Sequence, residues 1–190
     1  EENISGYDEL ILVNPTHFIP EDYEPELETV QGKYKLDKKA AASAKELLKG
    51  AKDAGFDMQL CSAYRTVAKS AELYERKVNQ YISAGYDEAT AKTEAAKWVA
   101  PPGTSEHHTG LAMDLVSSDY WGYYSDLEHD YDKFDSFKWM YEHCAEYGFI
   151  QRYPTRKYLL TGWDEPWHYR FVGRYHAKKI HDSSLFLEEY

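Results

Sequence analysis

The sequence predicts an α+β fold in a single domain, with a small antiparallel sheet flanked by helices. The chain has 190 residues, which suits one compact domain with a core of its own. Helical and strand-type segments follow one another without the regular alternation of βαβ units, which argues against a doubly wound sheet. No repeat, low-complexity tract or Gly/Ser linker divides the chain. We therefore expect an N-terminal arm, 1–36, packed on a main domain, 37–190.

The arm is predicted to be extended and largely irregular. Its apolar run Leu10-Ile11-Leu12-Val13 is typical of a short strand, and Asn14-Pro15 ends it. Pro20 and Pro25 restrict the backbone that follows and lack the N–H groups that helices and sheets use. We therefore predict no further regular element before residue 37.

The main domain opens with helices around one strand. Alanines and leucines recur at helical spacing from Asp37 onward, and Gly55 follows the end of this helix. Alternating apolar and polar residues at 56–62 predict a strand. Helices are predicted at 67–83 and 87–98, and Pro101-Pro102-Gly103 stops the second of them.

The rest of the domain is predicted to be mainly strands. A strand at 111–116 carries an acidic residue in its middle, and a polar, aromatic loop at 119–131 is expected to lie over the site. Asp135 or a neighbour caps a helix that runs to about Tyr147, and Gly148 closes it. Strands are predicted at 149–153, 158–161 and 167–172, followed by a closing helix and tail at 174–190.

Composition excludes some classes of partner. The formal net charge of −11 argues against nucleic acid and against an anionic membrane surface, since both attract basic proteins. No apolar run approaches the roughly 20 residues that span a bilayer. The chain opens with Glu1 rather than Met and shows no signal-peptide pattern, so we expect a signal or anchor segment to precede it. No heptad or exposed apolar stripe indicates a dimer, which favours a monomer.

The two cysteines are expected to be free thiols. Cys61 and Cys144 both lie among apolar residues, and buried free cysteine is common. A single disulfide remains the alternative, because two cysteines are too few for a disulfide scaffold but enough for one bridge.

Two segments, 105–114 and 165–170, combine residue types that bind metals. His107, Asp114 and His168 supply two imidazoles and one carboxylate, a set that leaves a fourth zinc position open for water. Asp114 stands between Met113 and Leu115, where a buried carboxylate needs a partner or a cation. Glu165 precedes His168 by three residues, so it can act as a general base near the metal without binding it.

Each of these residues also has an ordinary structural explanation. A lone histidine in a strand is more often a core or surface residue than a ligand, and one Glu-x-x-His pattern is weak evidence. The joint pattern is stronger, because zinc sites gather ligands from distant segments and both segments here are bounded by Gly or Pro.

These segments resemble the VanY/LdcB family of D-alanyl-D-alanine and L,D-carboxypeptidases. The likeness rests on Ser-x-His-x-x-Gly-x-Ala-x-Asp at 105–114 and Glu-x-Trp-His-x-Arg at 165–170. Ser62-Ala63-Tyr64-Arg65, Leu12-Val13-Asn14, Pro20-Glu21-Asp22-Tyr23 and 147–154 with Thr161-Gly162 extend it over nearly the whole chain. The resemblance implies a Hedgehog/DD-peptidase-like fold and a zinc enzyme that removes D-alanine from peptidoglycan stem peptides.

The resemblance also assigns roles to residues. It implies Zn²⁺ held by His107, Asp114 and His168, with Glu165 as the catalytic base. Arg65 would stabilise the oxyanion that develops as water attacks, and a surface salt bridge is the ordinary alternative for it. The implied substrate contacts are Ser105, Arg65, Ser70 and Tyr153.

The chain departs from the family pattern at two positions. Ser70 stands where the family often has Gln, five residues after the motif Arg, so substrate affinity or specificity is in question there. His108 stands where the family commonly has Gln, and it offers a second imidazole as an alternative ligand. We choose His107, because its offset to Asp114 matches the pattern.

The resemblance does not decide which peptide bond the enzyme cleaves. A D,D-enzyme cuts D-Ala-D-Ala and an L,D-enzyme cuts the D-Ala that follows the diamino acid, and we lean slightly to the L,D-type. An endopeptidase of the same fold and a non-catalytic zinc-containing cell-wall module are the alternatives. The substrate implies work outside the cytoplasmic membrane of a bacterium.

Overall fold

A four-stranded antiparallel sheet organises the part of the chain that the computed structural model describes, residues 9–154 and 162–190. The strands in chain order are β1 (Leu27–Gln31), β2 (Tyr34–Asp37), β3 (Met58–Ser62), β4 (Ala112–Ser117), β5 (Phe149–Tyr153) and β6 (Glu165–Phe171). The main sheet has the order β3-β4-β6-β5, and β1 pairs with β2 in a separate hairpin. Strands β4 and β6 are therefore the central pair.

Within the described ranges, five α-helices surround the sheet: α1 (Lys38–Asp53), α2 (Val67–Ser83), α3 (Glu88–Ala96), α4 (Asp135–His143) and α5 (Arg174–Ser183). The first three begin at polar N-caps, since Asp37, Thr66 and Asp87 accept backbone N–H bonds from Lys39, Lys69 and Thr90. Short 3-10 helices lie at Glu106–Thr109, Ser118–Gly122, His129–Lys133 and Cys144–Tyr147. The bounds of α2 coincide with the predicted helix at 67–83.

The two faces of the sheet have different roles because side chains alternate along a strand. Met113 and Leu115 of β4 and Tyr169 of β6 belong to the main core, which also contains the buried alanines of α1. Asp114 and His168 occupy the alternate positions, so they are presented on the other face. The core thus fixes the strands while leaving polar side chains together on the opposite side.

The predicted fold class is confirmed: the described residues form one α+β domain with small antiparallel sheets. The helices predicted from Asp37 and at 87–98 are present as α1 and α3. The strands predicted at 56–62, 111–116, 149–153 and 167–172 are present as β3, β4, β5 and β6.

Within the described ranges, no helix combines the length and apolar character needed to cross a membrane. The strand predicted at 158–161 lies outside the described residues.

The strand predicted at Leu10–Val13 was wrong. This segment forms no ladder; the bridge nearest to it joins Asn14 and His17. Leu10 and Leu12 instead pack on the cluster of apolar residues around Ile150 and Val172. The apolar residues of the run thus mark burial against the domain rather than strand pairing.

The arm is also more regular than predicted. Strands β1 and β2 form an antiparallel hairpin after Pro25, in which Glu28 pairs with Leu36 and Gly32 adopts a φ of 55° at the turn. Gln31 helps to hold the hairpin against the main sheet, because the side-chain amide of Gln31 bonds to the backbone of Met58 and Leu60 in β3. The division into an arm at 1–36 and a domain at 37–190 stays a prediction.

Two further details differ from prediction. The stretch at 119–131 contains residues of two 3-10 helices rather than a plain loop, and the rings of Tyr120 and Tyr131 are buried edge to face in the core. The helix predicted to reach Tyr147 ends at His143 and continues as a 3-10 helix.

Both cysteines are free, Cys144 buried and Cys61 half-buried, and burial raises the pKa of each thiol to about 12.

Candidate metal centre

Asp114 and His168 meet as a cross-strand pair at the centre of the sheet. They lie directly opposite each other in the register of β4 and β6, where paired side chains are close neighbours. Asp114 Oδ1 lies 2.9 Å from His168 Nδ1. The pairing of two strands that are distant in sequence therefore brings these residues together.

His107 reaches the same point from the 3-10 helix at Glu106–Thr109. Ser105 caps this helix, since its hydroxyl accepts the backbone N–H of His107, and Gly110 ends it with a φ of 71°. His107 Nε2 lies 3.2 Å from Asp114 Oδ2. The short turn before β4 thus returns His107 to the carboxylate in the middle of that strand.

The outer nitrogen of each histidine ring is held by a hydrogen bond. His107 Nδ1 lies 2.9 Å from the carbonyl oxygen of Ala63, and His168 Nε2 lies 3.1 Å from Glu106 Oε2. When those nitrogens carry the ring protons, the lone pairs of His107 Nε2 and His168 Nδ1 face Asp114. Such outer hydrogen bonds orient the histidine ligands of metal sites.

The three residues fit a zinc ion. One ligand atom from each of His107, Asp114 and His168 lies within 4.8 Å of the others, and the three are only 5%, 8% and 3% exposed. Ligands of a tetrahedral zinc ion are about 3.3 Å apart, given metal–ligand bonds of about 2.0 to 2.1 Å. The nitrogen–oxygen separations of 2.9 and 3.2 Å are close to that value.

The charges around the three residues favour a cation. Burial alone would lower the pKa of His168, but hydrogen bonds to Asp114 and Glu106 outweigh burial and raise this pKa to about 10. Burial alone would raise the pKa of Asp114, but His107 and His168 hold it well below its ordinary value. The carboxylates of Asp114 and Glu106 therefore stabilise a positive charge at this point, which is the electrostatic environment that a bound cation requires.

Glu165 stands beside this cluster at the start of β6. Its Oε2 lies 3.6 Å from His168 Nδ1, although residues three apart in a regular strand face opposite sides. The pairing of β5 with β6 is irregular between Gln151 and Tyr153, and Tyr153 pairs with Glu165. Such irregularities re-aim side chains. Burial raises the pKa of the Glu165 carboxyl, and the Asp114 charge adds to that effect.

Arg65 approaches the cluster from the segment between β3 and α2. Its backbone N–H bonds to the carbonyl of His107, and its Nη2 lies 3.3 Å from Ser105 Oγ. Burial lowers its pKa, while the charges of Asp114 and Glu165 act in the opposite direction. Its buried Nε has no hydrogen-bond partner among the described residues. Arg65 thus has a donor group available near the acidic side of the site.

The structure places the other two predicted substrate contacts differently. The ring of Tyr153 packs on the ring of His168 with centroids 5.0 Å apart, and the guanidinium of Arg152 lies 4.7 Å from the centroid of the Tyr153 ring. Ser70 is fully buried in the first turn of α2, and its hydroxyl lacks a partner among the described residues. Tyr153 therefore lies at the cluster, whereas Ser70 has no surface exposed to solvent.

His108 does not join the cluster. Its Nδ1 lies 2.8 Å from the carbonyl of Arg65, and its Nε2 accepts the backbone N–H of Gly103 at 3.2 Å. Both ring nitrogens are therefore used in holding the backbone beside Arg65. The choice of His107 over His108 agrees with this arrangement.

A cleft leads away from Arg65 toward the arm. Its volume is about 380 Å³, within the range of small-ligand sites, and it lies between the turn at Gly103, the start of α2 and the arm. Its lining includes Ile19, Tyr23, Tyr64, Arg65 and His108. Tyr23 is fixed there, because its hydroxyl donates to the carbonyl of Thr109.

The sequence interpretation missed Glu106, which is buried next to His107. Arg152 and Arg170 bond to its carboxylate, and the side chains of all three are fully buried. A signal was present in the sequence, since Arg152 and Arg170 each stand in a predicted apolar strand. Arginine is almost never fully buried unless it is paired, so both required an acidic partner.

An α+β domain that presents two imidazoles, one carboxylate and an adjacent glutamate has the features of a metal-dependent hydrolase. The pattern of the VanY family, described as D-alanyl-D-alanine carboxypeptidase, matches residues 33–174. The chain belongs to this family.

One relative is a D-alanyl-D-alanine carboxypeptidase of Enterococcus faecalis. It is 41% identical over 182 residues, which are 95% of this chain and 65% of the relative. The chain therefore spans slightly less than two thirds of that protein.

Solved structures share the fold over nearly the whole chain. VanYB in complex with D-alanine-D-alanine has a TM-score of 0.82 and 39% identity, with 96% of each chain covered. A mutant of the vancomycin-resistance D,D-pentapeptidase VanY in complex with Zn(II) has a TM-score of 0.81 and 39% identity, covering 96% of this chain and 98% of that one. The LD-carboxypeptidase LdcB has a TM-score of 0.78 and 33% identity, covering 94% and 83%.

Proposed function

We propose that this chain is a zinc-dependent carboxypeptidase that removes the C-terminal D-alanine from peptidoglycan stem peptides. The observation that carries the proposal is the buried cluster of His107, Asp114 and His168, with the carboxylate of Glu165 3.6 Å from His168. A VanY structure with Zn(II) and a VanYB structure with D-alanine-D-alanine, both 39% identical to this chain, support it.

His107, Asp114 and His168 would hold the zinc. Their donor atoms face one another, and the outer nitrogens of both histidines are already bonded to Ala63 and Glu106. Bound zinc lowers the pKa of water and polarises a carbonyl group.

Glu165 acts as the general base. Its carboxylate takes a proton from the attacking water and delivers that proton to the amine of the departing D-alanine. It is partly exposed and stands beside the cluster rather than within it, so it can contact both water and substrate.

Arg65 stabilises the negative charge that develops on the carbonyl oxygen as water attacks. Its guanidinium is held at Ser105 by one hydrogen bond, and its backbone is held by His107 and His108. Donors that are fixed before the reaction stabilise developing charge without having to reorganise. Ser105 would position Arg65 through this bond, and we propose its hydroxyl as a hydrogen-bond partner of the peptide.

The cleft beside Arg65 would hold the peptide that precedes the scissile bond. It extends from Arg65 to the arm, and aromatic side chains of Tyr23 and Tyr64 line it. The ring of Tyr153 packs on the ring of His168, and we propose that it borders the departing residue. Ser70 is buried away from solvent, so a direct contact between Ser70 and the peptide stays a prediction.

We propose cleavage between two D-alanines as the principal reaction. The D,D-type structures are 39% identical to this chain, and the LD-carboxypeptidase LdcB is 33% identical. This difference favours D,D-cleavage over the L,D-cleavage toward which the sequence resemblance leans slightly. Because stem peptides lie outside the cytoplasmic membrane, the proposal places the protein's work there, and a monomer suffices for it.

The test is incubation of the zinc-loaded protein with a pentapeptide ending in D-Ala-D-Ala and with a tetrapeptide ending in D-Ala. We expect free D-alanine from the pentapeptide, loss of the reaction with a chelator, and recovery when zinc is restored. Release from the tetrapeptide alone would show L,D-specificity, and internal cleavage would show an endopeptidase. A zinc-loaded, folded protein that cuts none of these bonds would support the non-catalytic alternative and overturn the proposal.

A further inference from the structure

Glu106 stands directly behind His168, on the side away from Asp114. Its Oε2 lies 3.1 Å from His168 Nε2, while His168 Nδ1 lies 2.9 Å from Asp114. The imidazole is thus held between two carboxylates, one within the cluster of three donor residues and one outside it. The outer carboxylate can determine which ring nitrogen carries the proton.

The two oxygens of Glu106 have separate partners. Oε1 accepts hydrogen bonds from Arg152 Nε at 2.8 Å and from Arg170 Nη1 at 2.9 Å. Oε2 is therefore directed at His168 by the positions of the two guanidinium groups. If Glu106 served only to neutralise the arginines, no contact between its second oxygen and a candidate ligand would be required.

Both arginines are themselves fixed by distant parts of the chain. Arg170 Nη2 donates to the carbonyls of Glu9 and Ile11, and Arg152 bonds to the carboxylate of Glu188. Each arginine thus has partners besides Glu106, and separate donor atoms, Arg152 Nε and Arg170 Nη1, hold the Glu106 carboxylate. A carboxylate held in this way loses little freedom when it orients a neighbouring ring.

We propose that Glu106 is a positioning residue for the metal centre: it accepts the Nε2 proton of His168 and so directs the Nδ1 lone pair toward the metal. The inference rests on the proposed zinc site. It adds a residue outside the ligand set whose removal weakens zinc binding while all three ligands remain.

Glu106→Gln tests this role with a minimal change in shape. The two arginine donors require an oxygen acceptor, so the amide oxygen should keep the Oε1 position. The amide NH₂ then donates a hydrogen bond to His168 Nε2, so this nitrogen must be unprotonated. The ring proton therefore moves to Nδ1, where it occupies the lone pair that would bind zinc. We expect zinc affinity, measured by competition with a chelator, to fall by about 10- to 100-fold.

Glu188→Gln is the matched control. It removes one carboxylate charge from the same arginine network but leaves the contact between Glu106 and His168 in place. We expect a lower melting temperature with unchanged zinc affinity. Equal affinity of Glu106→Gln and the unmodified protein would overturn the inference, and so would an equal loss of affinity in both variants.

A second measurement needs no variant and therefore remains decisive if Glu106→Gln fails to fold. ¹H–¹⁵N NMR of the zinc-loaded protein reports the chemical shift of the Nε2 proton of His168. A ring proton that is hydrogen-bonded to a carboxylate resonates far downfield, so we expect that shift if Glu106 accepts this proton. An ordinary chemical shift for the Nε2 proton would overturn the inference. Failure of the unmodified protein to bind zinc would instead overturn the proposed function.

Discussion

The rings of His107 and His168 meet edge to face, with centroids 5.0 Å apart and planes at 83°. One ring comes from a 3-10 helix that ends at Gly110, and the other comes from the central strand β6. Asp114 contacts both rings, and a hydrogen bond behind each ring fixes its orientation. The candidate ligands are therefore already arranged by the protein, so changes around them should affect chemistry and metal binding separately.

Glu165→Gln should abolish most of the activity while zinc stays bound. The amide cannot accept the proton of the attacking water, and removing a general base costs about 10²- to 10⁴-fold in rate. The measurement is kcat for D-alanine release, together with the zinc content of the purified variant. Glu142→Gln, at an exposed glutamate of α4, is the control and should behave as the unmodified protein. A kcat close to the unmodified value would exclude Glu165 as the base.

Arg65→Ala should lower kcat more than it raises KM. Its guanidinium is proposed to bond to the oxygen that becomes negative during the reaction, and loss of one such donor costs about 10²- to 10³-fold in kcat. Steady-state kinetics with the pentapeptide measures both constants. Arg76→Ala, at an exposed position of α2, is the matched control. A change confined to KM would mean that Arg65 binds the ground state of the peptide instead.

Glu188→Gln should destabilise the protein at neutral pH but not in acid. Burial alone would raise the pKa of Glu188, but its hydrogen bonds with Arg152 outweigh burial and hold this pKa below the ordinary value. A lowered folded-state pKa gives stability that is present above the unfolded-state pKa, about 4.3, and lost as the pH falls through the folded-state pKa.

Urea unfolding of the metal-free protein at several pH values measures this effect. We expect the unmodified protein to be more stable than Glu188→Gln at about pH 7, and the difference to shrink as the pH falls below the unfolded-state pKa. A difference that is independent of pH would show that the carboxylate charge is not responsible.

Gly110→Ala should destabilise the fold by about 1 to 3 kcal/mol, the usual cost of a left-handed backbone in a residue other than glycine. Gly110 has a φ of 71°, and an added Cβ would lie 2.9 Å from the backbone nitrogen of Asp37. The backbone nitrogen of Asp37 donates to the Gly110 carbonyl. The substitution therefore also disturbs the contact between the 105–114 segment and the start of α1.

Gly122→Ala is the control for this substitution. Gly122 has no positive φ, and no atom lies within 4 Å of the position that an added Cβ would take there. Denaturant unfolding of both variants measures the difference in the free energy of unfolding. Equal stability of the two variants would contradict the role given to the Gly110 backbone.

The elements predicted best from the sequence are those with strong local signals. Helix α2 begins after Thr66, whose side chain caps it, and its predicted bounds coincide with the observed ones. The hairpin of β1 and β2 was missed, because the prolines before it suggested an irregular arm and its stability depends on contacts such as Gln31 with Met58. The prediction of a strand at Leu10–Val13 was wrong because apolar character indicates that a segment is buried, but it does not specify what the segment packs against.

The sequence by itself determined the chemical inventory: two histidines, an aspartate, a glutamate and an arginine in family-like spacing. Residue type and local spacing are properties of the chain, so they can be read without a structure. The tertiary structure alone decided that Asp114 faces His168 across two strands, that His108 is occupied with backbone atoms, and that Glu106 stands behind His168. Those relationships depend on strand register and on buried ion pairs between distant segments, and no local pattern encodes either.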